Sequence, residues 1–351
     1  MTIEGIHHIT LVAKNAQRNV AFYRDVLGWK LVKKTVNFDV PDTYHLYYGE
    51  DQGRTGSLST FFEWPHSPPG QWGIGATHHF AMGTQNRDTL LKWKRYLTDK
   101  GCSIEGPYDR TYFHSIYFTD PDGVILEIAT QGPGWTLDEA PDALGQKMLP
   151  PAKELMRGYR DEAAIAATTW PEPVPEIASD MRLTRLHHIT AIGSDIDRTT
   201  EFYTGLLGMR LVKKTLNFDN PESPHYYYAV GDGAPGTVIT YFAYPPETMR
   251  RGEIGTGLTH HFALAVKDEQ AQLEFRDRII AAGFQVTPVL DRKYFRSIYF
   301  NDPDGHIVEI ATDSPGFAVD EPPESLGQAL SLPEWLEPQR SEIQGKLEPI
   351  G

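Results

Sequence analysis

Cysteine is almost missing. Cys102 is the only thiol in 351 residues, which excludes an internal disulfide framework and fits a reducing cytoplasm. Nothing in its setting, "KGCSIEG", marks a reactive thiol, and it reads as a bystander. Basic residues are also scarce. Against 47 Asp and Glu stand 33 Lys and Arg, a net charge of −14, so a nucleic-acid surface, which needs clustered cations, is not expected. No apolar run approaches the roughly 20 residues that cross a bilayer. The opening "MTIEGIHHIT" is too polar and too poor in positive charge for a signal peptide. What remains is an acidic cytosolic chain, 40% hydrophobic and 23% charged, whose 31 Gly and 26 Pro imply many turns. Its length suits two domains with a core each.

Histidine, by contrast, is concentrated. Eight of the 13 His stand in four doublets, at 7–8, 78–79, 187–188 and 260–261. The doublets belong to a chain written twice. "HHITLVAKNAQRNVAFYRDVLGWKLVKKTVNFD" begins at His7 and "HHITAIGSDIDRTTEFYTGLLGMRLVKKTLNFD" at His187, an offset of 180 residues. "FHSIYFTDPDGVILEIAT" and "FRSIYFNDPDGHIVEIAT" follow at an offset of 182, and "DEAPDALGQKMLP" at 138–150 is echoed by "DEPPESLGQALSLP" at 320–333. A Pro-rich stretch around 168–180 separates the copies. Each copy divides again. "GIHHITLVA" reads as a strand, "NAQRNVAFYRDVLG" as a helix, and "KLVKKTVNFD", "YHLYYGE" and "SLSTFFEWP" as three strands. The order recurs after "ATHHFAMG". The pattern predicts β-α-β-β-β four times, with a histidine doublet on every first strand. The lysines of "LVKK" at 31–34 and 211–214 are expected on the exposed side of their strands.

Neighbouring side chains of a strand point to opposite faces, so only one His of each doublet should enter a given cleft. In "HHFALAV", His260 shares its face with Phe262, Leu264 and Val266, while His261 goes with Ala263 and Ala265, where there is room. "HHFAM" sorts His79 the same way, and "IHHIT" points less sharply to His8. The last strand of each copy carries a glutamate among apolar residues, Glu127 in "VILEIAT" and Glu309 in "HIVEIAT". A buried carboxylate costs several kcal/mol unless compensated. Neutral imidazole with carboxylate is what a divalent metal takes, and two His with one carboxylate leave positions open for O2 and a substrate.

In combination, "LHHIT", "FYxxVLGxxLVKKTVNFD", "YHLYYG", "HHFA", "DRxYFxSIYF", "DPDG", "EIAT" and the "LG" tail resemble the vicinal oxygen chelate superfamily, and within it the hydroquinone-type ring-cleaving dioxygenases. The resemblance implies an α+β fold of four βαβββ modules paired into two vicinal-oxygen-chelate domains, internally duplicated. Residues 5–135 would form the first half, 136–184 an extended tail and Pro-rich linker, 185–317 the second half and 318–351 a C-terminal tail. It implies ferrous iron, or else manganese, on His8, His261 and Glu309, so that the first module pairs with the fourth. Arg292, Tyr299 and His7 would lie near the substrate, although parity sets His7 opposite His8. The second module also keeps "THHF" and "EIAT". His79, Glu127 and His188, supported by Arg110 and Tyr117, therefore make a second complete set.

The expected activity is oxidative cleavage of a hydroquinone- or catechol-type aromatic diol with O2, with no nucleic-acid or membrane partner. Self-assembly is left open. Two alternatives stand beside it: a glyoxalase-type metal enzyme, which needs a fourth ligand, and a protein that binds an aromatic compound or antibiotic without chemistry. The place for a fourth ligand is the final strand of the partner module. "STFFEWP" offers Glu63 and "ITYFAYP" has Ala243, with Thr60 and Thr240 at the inward positions.

Overall fold

The computed structural model describes residues 1–351. The four expected modules are present. The first supplies β1 (Ile3–Ala13), β2 (Lys30–Val36), β3 (Tyr44–Gly49) and β4 (Leu58–Glu63). The second supplies β5 (Thr77–Thr84), β6 (Glu105–Asp109), β7 (His114–Thr119) and β8 (Ile125–Thr130). The third has β9 (Leu186–Gly193), β10 (Arg210–Leu216), β11 (Pro224–Ala229) and β12 (Val238–Ala243). The fourth has β13 (Thr259–Val266), β14 (Leu290–Asp291), β15 (Arg296–Asn301) and β16 (Ile307–Thr312). A helix follows the first strand of each module, at Ala16–Val20, Arg87–Asp99, Ile196–Thr200 and Glu269–Ala281. Each begins at an Asn or Asp whose side chain accepts first-turn N–H groups, which satisfies donors that the helix itself leaves open. In the first and third modules the helix widens into a π-helical turn at Ala21–Val26 and Glu201–Leu206. No helix is long and apolar enough to cross a membrane.

In every module the first strand lies parallel to the last, a pairing that requires the crossover the helix provides. The strands assemble into two eight-stranded sheets, β14-β15-β16-β13-β1-β4-β3-β2 and β10-β11-β12-β9-β5-β8-β7-β6. Each sheet is completed at its middle by two first strands running antiparallel, β1 with β13 and β5 with β9. The compact units therefore do not follow the linear repeat. Unit 1 comprises Met1–Gln71, Pro121–Gly123 and Glu253–Gly351; unit 2 comprises Trp72–Asp120 and Val124–Gly252.

The repeated tails are part of the cores. In unit 1, Phe317 and Leu326 pack with Val32, Tyr47, Leu58, Ala263 and Phe295. In unit 2, Trp135 and Leu144 take the matching places beside Val212, Tyr227, Ala81 and Phe113. The "LG" of each tail is a close approach. Gly327 and Gly145 have φ of 77° and 71°, and a Cβ on either would run into the carbonyl of Leu31 or Leu211; only glycine satisfies both demands.

Here the structure corrects the expectation for the "LVKK" lysines. Lys33 and Lys213 are fully buried. The Lys33 ammonium donates to the Phe317 carbonyl at 3.3 Å, to Asp320 at 2.7 Å and to Glu321, and it lies 4.8 Å from the Tyr294 ring centre. Lys213 repeats this with Asp138 at 2.6 Å and Glu139 at 2.5 Å. The "DE" pair of each tail exists to receive that cation. Burying an ammonium is favourable only when the acceptors are in place, so each clamp ties a tail to the second strand of the neighbouring module. Replacing Lys33 by Met leaves Glu321 buried without its cation, and a loss of about 3 kcal/mol is expected. The same change at the half-buried Lys34 should stay within about 0.5 kcal/mol. Urea unfolding midpoints of the two variants check this, and equal midpoints would refute the clamp.

Candidate metal centres

The pairing of β1 with β13 sets His8 opposite Ala263, and that of β13 with β16 sets Ala263 opposite Glu309. Directly opposed residues share a face of the sheet. His8, Ala263 and Glu309 thus form one row, with His261 two residues from Ala263 on the same face. The methyl of Ala263 leaves space that a larger side chain would fill. Across it His8 Nε2 lies 3.3 Å and His261 Nε2 3.0 Å from Glu309 Oε2, and the two nitrogens are 3.3 Å apart. All three residues are buried, Glu309 completely. Its Oε1 accepts from the Ser297 hydroxyl, whereas Oε2 has no hydrogen-bond partner.

The histidine doublets are β-bulges. The β1·β13 register passes from Ile6↔Leu264 to His8↔Ala263 and from Thr10↔His261 to Leu11↔Thr259, skipping His7 and His260. The β5·β9 register skips His78 and His187 in the same way. An extra residue in a ladder re-aims its side chain, and this is why strict alternation does not separate the members of a doublet. The ring of each outer His turns to the back of its neighbour, with Nδ1 to Nδ1 at 2.8 or 2.9 Å in all four doublets.

In two doublets this contact sets the tautomer of the inner His. His7 Nε2 lies 3.2 Å from the Thr312 carbonyl, which only accepts, so Nε2 carries the proton. Burial first, then His8, pushes His7 down to about 3, and it stays neutral. Its Nδ1 must then accept from His8 Nδ1–H, so the neutral form of His8 turns the lone pair of Nε2 to the centre. His187 does the same for His188 through the Thr130 carbonyl at 3.1 Å. A bare lone pair, a second ring nitrogen and an orphaned buried carboxylate oxygen converge. Such donors sit together comfortably only around a cation, and two His with one carboxylate suit a divalent metal.

A cavity of about 310 Å³ opens beside this cluster. Tyr299 and Arg292 both line it, and Arg292 Nε donates to the Tyr299 hydroxyl at 3.3 Å. Burial, with Glu309 adding to it, pushes the Tyr299 phenol up, so it stays protonated. His7 lies behind His8, against Phe295, and does not line the cavity. His45 lines it, and so does His260, which alternation had placed on the opposite, packing face of its strand. The only signal for His260 was the doublet itself, since a bulge has no other mark in the sequence. His45 is held by Thr60 at 2.9 Å and Tyr47 at 3.1 Å.

Unit 2 repeats the arrangement. Ala81 lies opposite both His188 and Glu127. His79 Nε2 and His188 Nε2 stand 2.9 and 3.2 Å from Glu127 Oε2, which also lacks a hydrogen-bond partner, while Ser115 donates to Oε1. Arg110 Nε donates to the Tyr117 hydroxyl at 3.3 Å.

Neither cluster has a fourth His, Cys, Asp or Glu within reach. The carboxylate of Glu63 is taken by the N–H groups of Ala16 at 2.8 Å and Tyr44 at 3.5 Å. Thr60, at the inward position, is bound to Thr10 at 2.8 Å. The fold and these clusters define the class: a duplicated protein of paired βαβββ modules with a buried His, His, Glu group in each unit.

Comparison with known proteins names the family. The profile of the Glyoxalase/Bleomycin resistance protein/Dioxygenase superfamily matches residues 5–128 and 185–310. MhqO of Bacillus subtilis, provisionally named a ring-cleaving dioxygenase, is 33% identical over 99% of this chain and 96% of its own. The chlorohydroquinone/hydroquinone 1,2-dioxygenase of Sphingobium indicum is 27% identical over 97% of this chain and 95% of its own. A crystal structure of a Bacillus subtilis protein, provisionally described as a dioxygenase, superimposes with a TM-score of 0.79 at 30% identity, over 100% of this chain and 98% of that one. The chain belongs to the Glyoxalase/Bleomycin resistance protein/Dioxygenase superfamily.

Two outcomes follow from this geometry. Ala263→Val crowds the gap between His8 and Glu309, and calorimetric titration of the chelated protein with divalent metal should show unit 1 affinity falling more than tenfold. Unchanged affinity would show that the gap is not where metal binds. The second outcome concerns acid. His7, His78, His187 and His260 are each held down to about 3, chiefly by burial. Above pH 6.5 folded and unfolded forms are both neutral. Below it the unfolded chain takes protons that the folded chain refuses, so stability falls as pH drops toward 3, by at most about 1.4 kcal/mol per pH unit for each group. Urea midpoints of metal-free protein between pH 7.5 and 5 should fall, and less steeply in His187→Gln; an equal slope would refute the assignment.

Proposed function

We propose that the chain is an oxidoreductase, a ring-cleaving dioxygenase of the extradiol type that opens hydroquinone- or catechol-type aromatic diols with O2. His8, His261 and Glu309 would hold ferrous iron, with manganese as the other candidate, and His79, Glu127 and His188 would hold a second ion. The observation that carries the reading is the convergence of two imidazole nitrogens and an orphaned carboxylate oxygen without a fourth ligand. That donor set, with open positions on one side, suits iron(II) oxygenase chemistry. The names of MhqO and of the Sphingobium enzyme agree with it.

When bound, the metal would supply a Lewis-acidic point at which diol and O2 meet. The chain's own groups do the rest. The unit 1 cavity, about 310 Å³, suits a single-ring diol. Tyr299, protonated and steadied by Arg292, would donate a hydrogen bond to a substrate oxygen. Arg292 keeps its charge, since Tyr299, Asp39 and Glu309 outweigh the effect of its burial, and its pairing with Asp39 at 3.3 Å holds it in place. His260, kept neutral by burial, would meet the diol from the cavity wall as a hydrogen-bonding group. Phe62, Trp64 and Phe295 provide the apolar lining. A glyoxalase-type isomerase with four protein ligands is disfavoured because Glu63 and Thr60 are committed elsewhere.

The test is anaerobic loading with ferrous iron, metal analysis, then O2 uptake with hydroquinones and catechols. Close to two ions per chain are expected, one for each three-ligand group. Uptake with a ring-opened product is expected, and the double variant Glu309→Gln/Glu127→Gln should lose it by roughly 100-fold or more. Firmly bound iron with no uptake would point to non-oxidative metal chemistry. No bound iron would leave a binding protein.

A further inference from the structure

We infer that the two centres take different substrates, and that the unit 2 centre receives a larger, anionic aromatic diol, a fused-ring or long-armed diol that carries a carboxylate. This rests on the reading of His79, Glu127 and His188 as a metal centre.

The metal-facing residues of the two units are matched, but the walls are not. The unit 2 cavity is about 1080 Å³, against about 310 Å³ in unit 1. A single aromatic ring is at home in the smaller; the larger has the capacity for a ligand of drug size. The differences trace to particular positions. Tyr108 in "YDRTYF" stands where Leu290 stands in "LDRKYF". Its ring lies 4.1 Å from the Arg160 guanidinium and 4.9 Å from that of Arg110. Counting from the Leu-Pro pair of each tail, Arg160 corresponds to Ile343, which in unit 1 is buried with Val36, Leu332 and Leu336. By the same count Arg157 corresponds to Arg340. The Arg340 guanidinium is consumed by Glu337 at 2.6 Å and the Leu330 carbonyl at 3.0 Å, away from the cavity. Arg157 is exposed on the wall of the unit 2 cavity.

Charge pairing singles out Arg157. Arg160 is shared between Asp219 at 2.8 Å and Glu162 at 2.7 Å, and Arg110 also reaches Asp219 at 3.2 Å. Those cations are neutralised and build the wall. The Arg157 guanidinium makes no ion pair, while its backbone N–H is anchored to the Phe218 carbonyl at 2.9 Å. A planar guanidinium with its donors free is the group that grips a carboxylate in bidentate fashion. A diol seated at the triad with a carboxylate on Arg157 needs a molecule that carries more than hydroquinone's single ring and two hydroxyls, and the unit 2 cavity has the space for one.

The experiment uses the full chain, loaded anaerobically with ferrous iron, in two variants that each disable one centre: Glu309→Gln leaves unit 2 and Glu127→Gln leaves unit 1. Metal analysis comes first. If Glu309→Gln retains no iron, the second metal centre and this inference fall together. With one ion in each variant, binding of 1,4-dihydroxy-2-naphthoate and of hydroquinone is measured by calorimetry without O2. The naphthoate should bind Glu309→Gln at least tenfold more tightly than Glu127→Gln. Adding Arg157→Gln to Glu309→Gln should weaken the naphthoate about tenfold and leave uncharged 1,4-dihydroxynaphthalene unchanged. Equal naphthoate affinity in the two single-centre variants, or indifference to Arg157→Gln, would overturn the inference and leave the metal assignment standing.

Discussion

The hydrogen-bonded pairing of two histidine-bearing first strands is the constraint on which the rest of this molecule depends. Module one owns His8 but no useful carboxylate, because Glu63 serves backbone N–H groups at the helix start. Module four owns His261 and Glu309 but lacks the second nitrogen. Only when β1 lies against β13 does the row His8, Ala263, Glu309 form. The register must be right to the residue, since a slip by one would turn the ligands to the other face. The pairing joins residues about 250 apart in sequence, so its loop-closure cost is repaid by long-range contact alone. Unit 2 builds its row from modules two and three, far closer along the chain.

Burying a glutamate at the centre of a sheet is costly, and the surroundings show how the cost is offset. One carboxylate oxygen is satisfied by a serine hydroxyl, while the other is aimed at two imidazoles. Behind the imidazoles stand the outer histidines, kept neutral by burial. Where they are anchored to a backbone carbonyl, as at His7 and His187, they leave the inner ring a single tautomer with its lone pair facing the centre. A doublet on a bulge thus supplies a candidate ligand and its orienting partner from consecutive residues. A second buried ionic device, the lysine and its Asp-Glu pair, holds each tail against the sheet beside the site. Both devices are doubled because the whole chain is doubled.

Duplication keeps what the fold needs and lets the walls drift. The ligands, the serine, the Tyr-Arg pair and the lysine clamp are the same in both units. Residues outside the His, His, Glu groups differ, as at Tyr108 and Leu290 or Arg160 and Ile343. Cavity size is set by these positions and by how each tail packs, so matched ligand sets surround very different volumes.

Periodicity and self-similarity were enough to determine four βαβββ modules, their helices and the strands that carry the doublets, because these features are local and repeat at the spacing of the elements themselves. Glu127 and Glu309 also stood out, since a carboxylate among apolar residues is a visible anomaly. Other features depended on partners distant in sequence. The exposed appearance of Lys33 was misleading because its acceptors lie almost 290 residues away. The bulges that make each doublet work are properties of two paired strands, so no single strand could display them. That His7 backs His8, that His260 reaches the cavity, and that one cavity is over three times the other were decided by tertiary packing, where register and the positions of the tails meet.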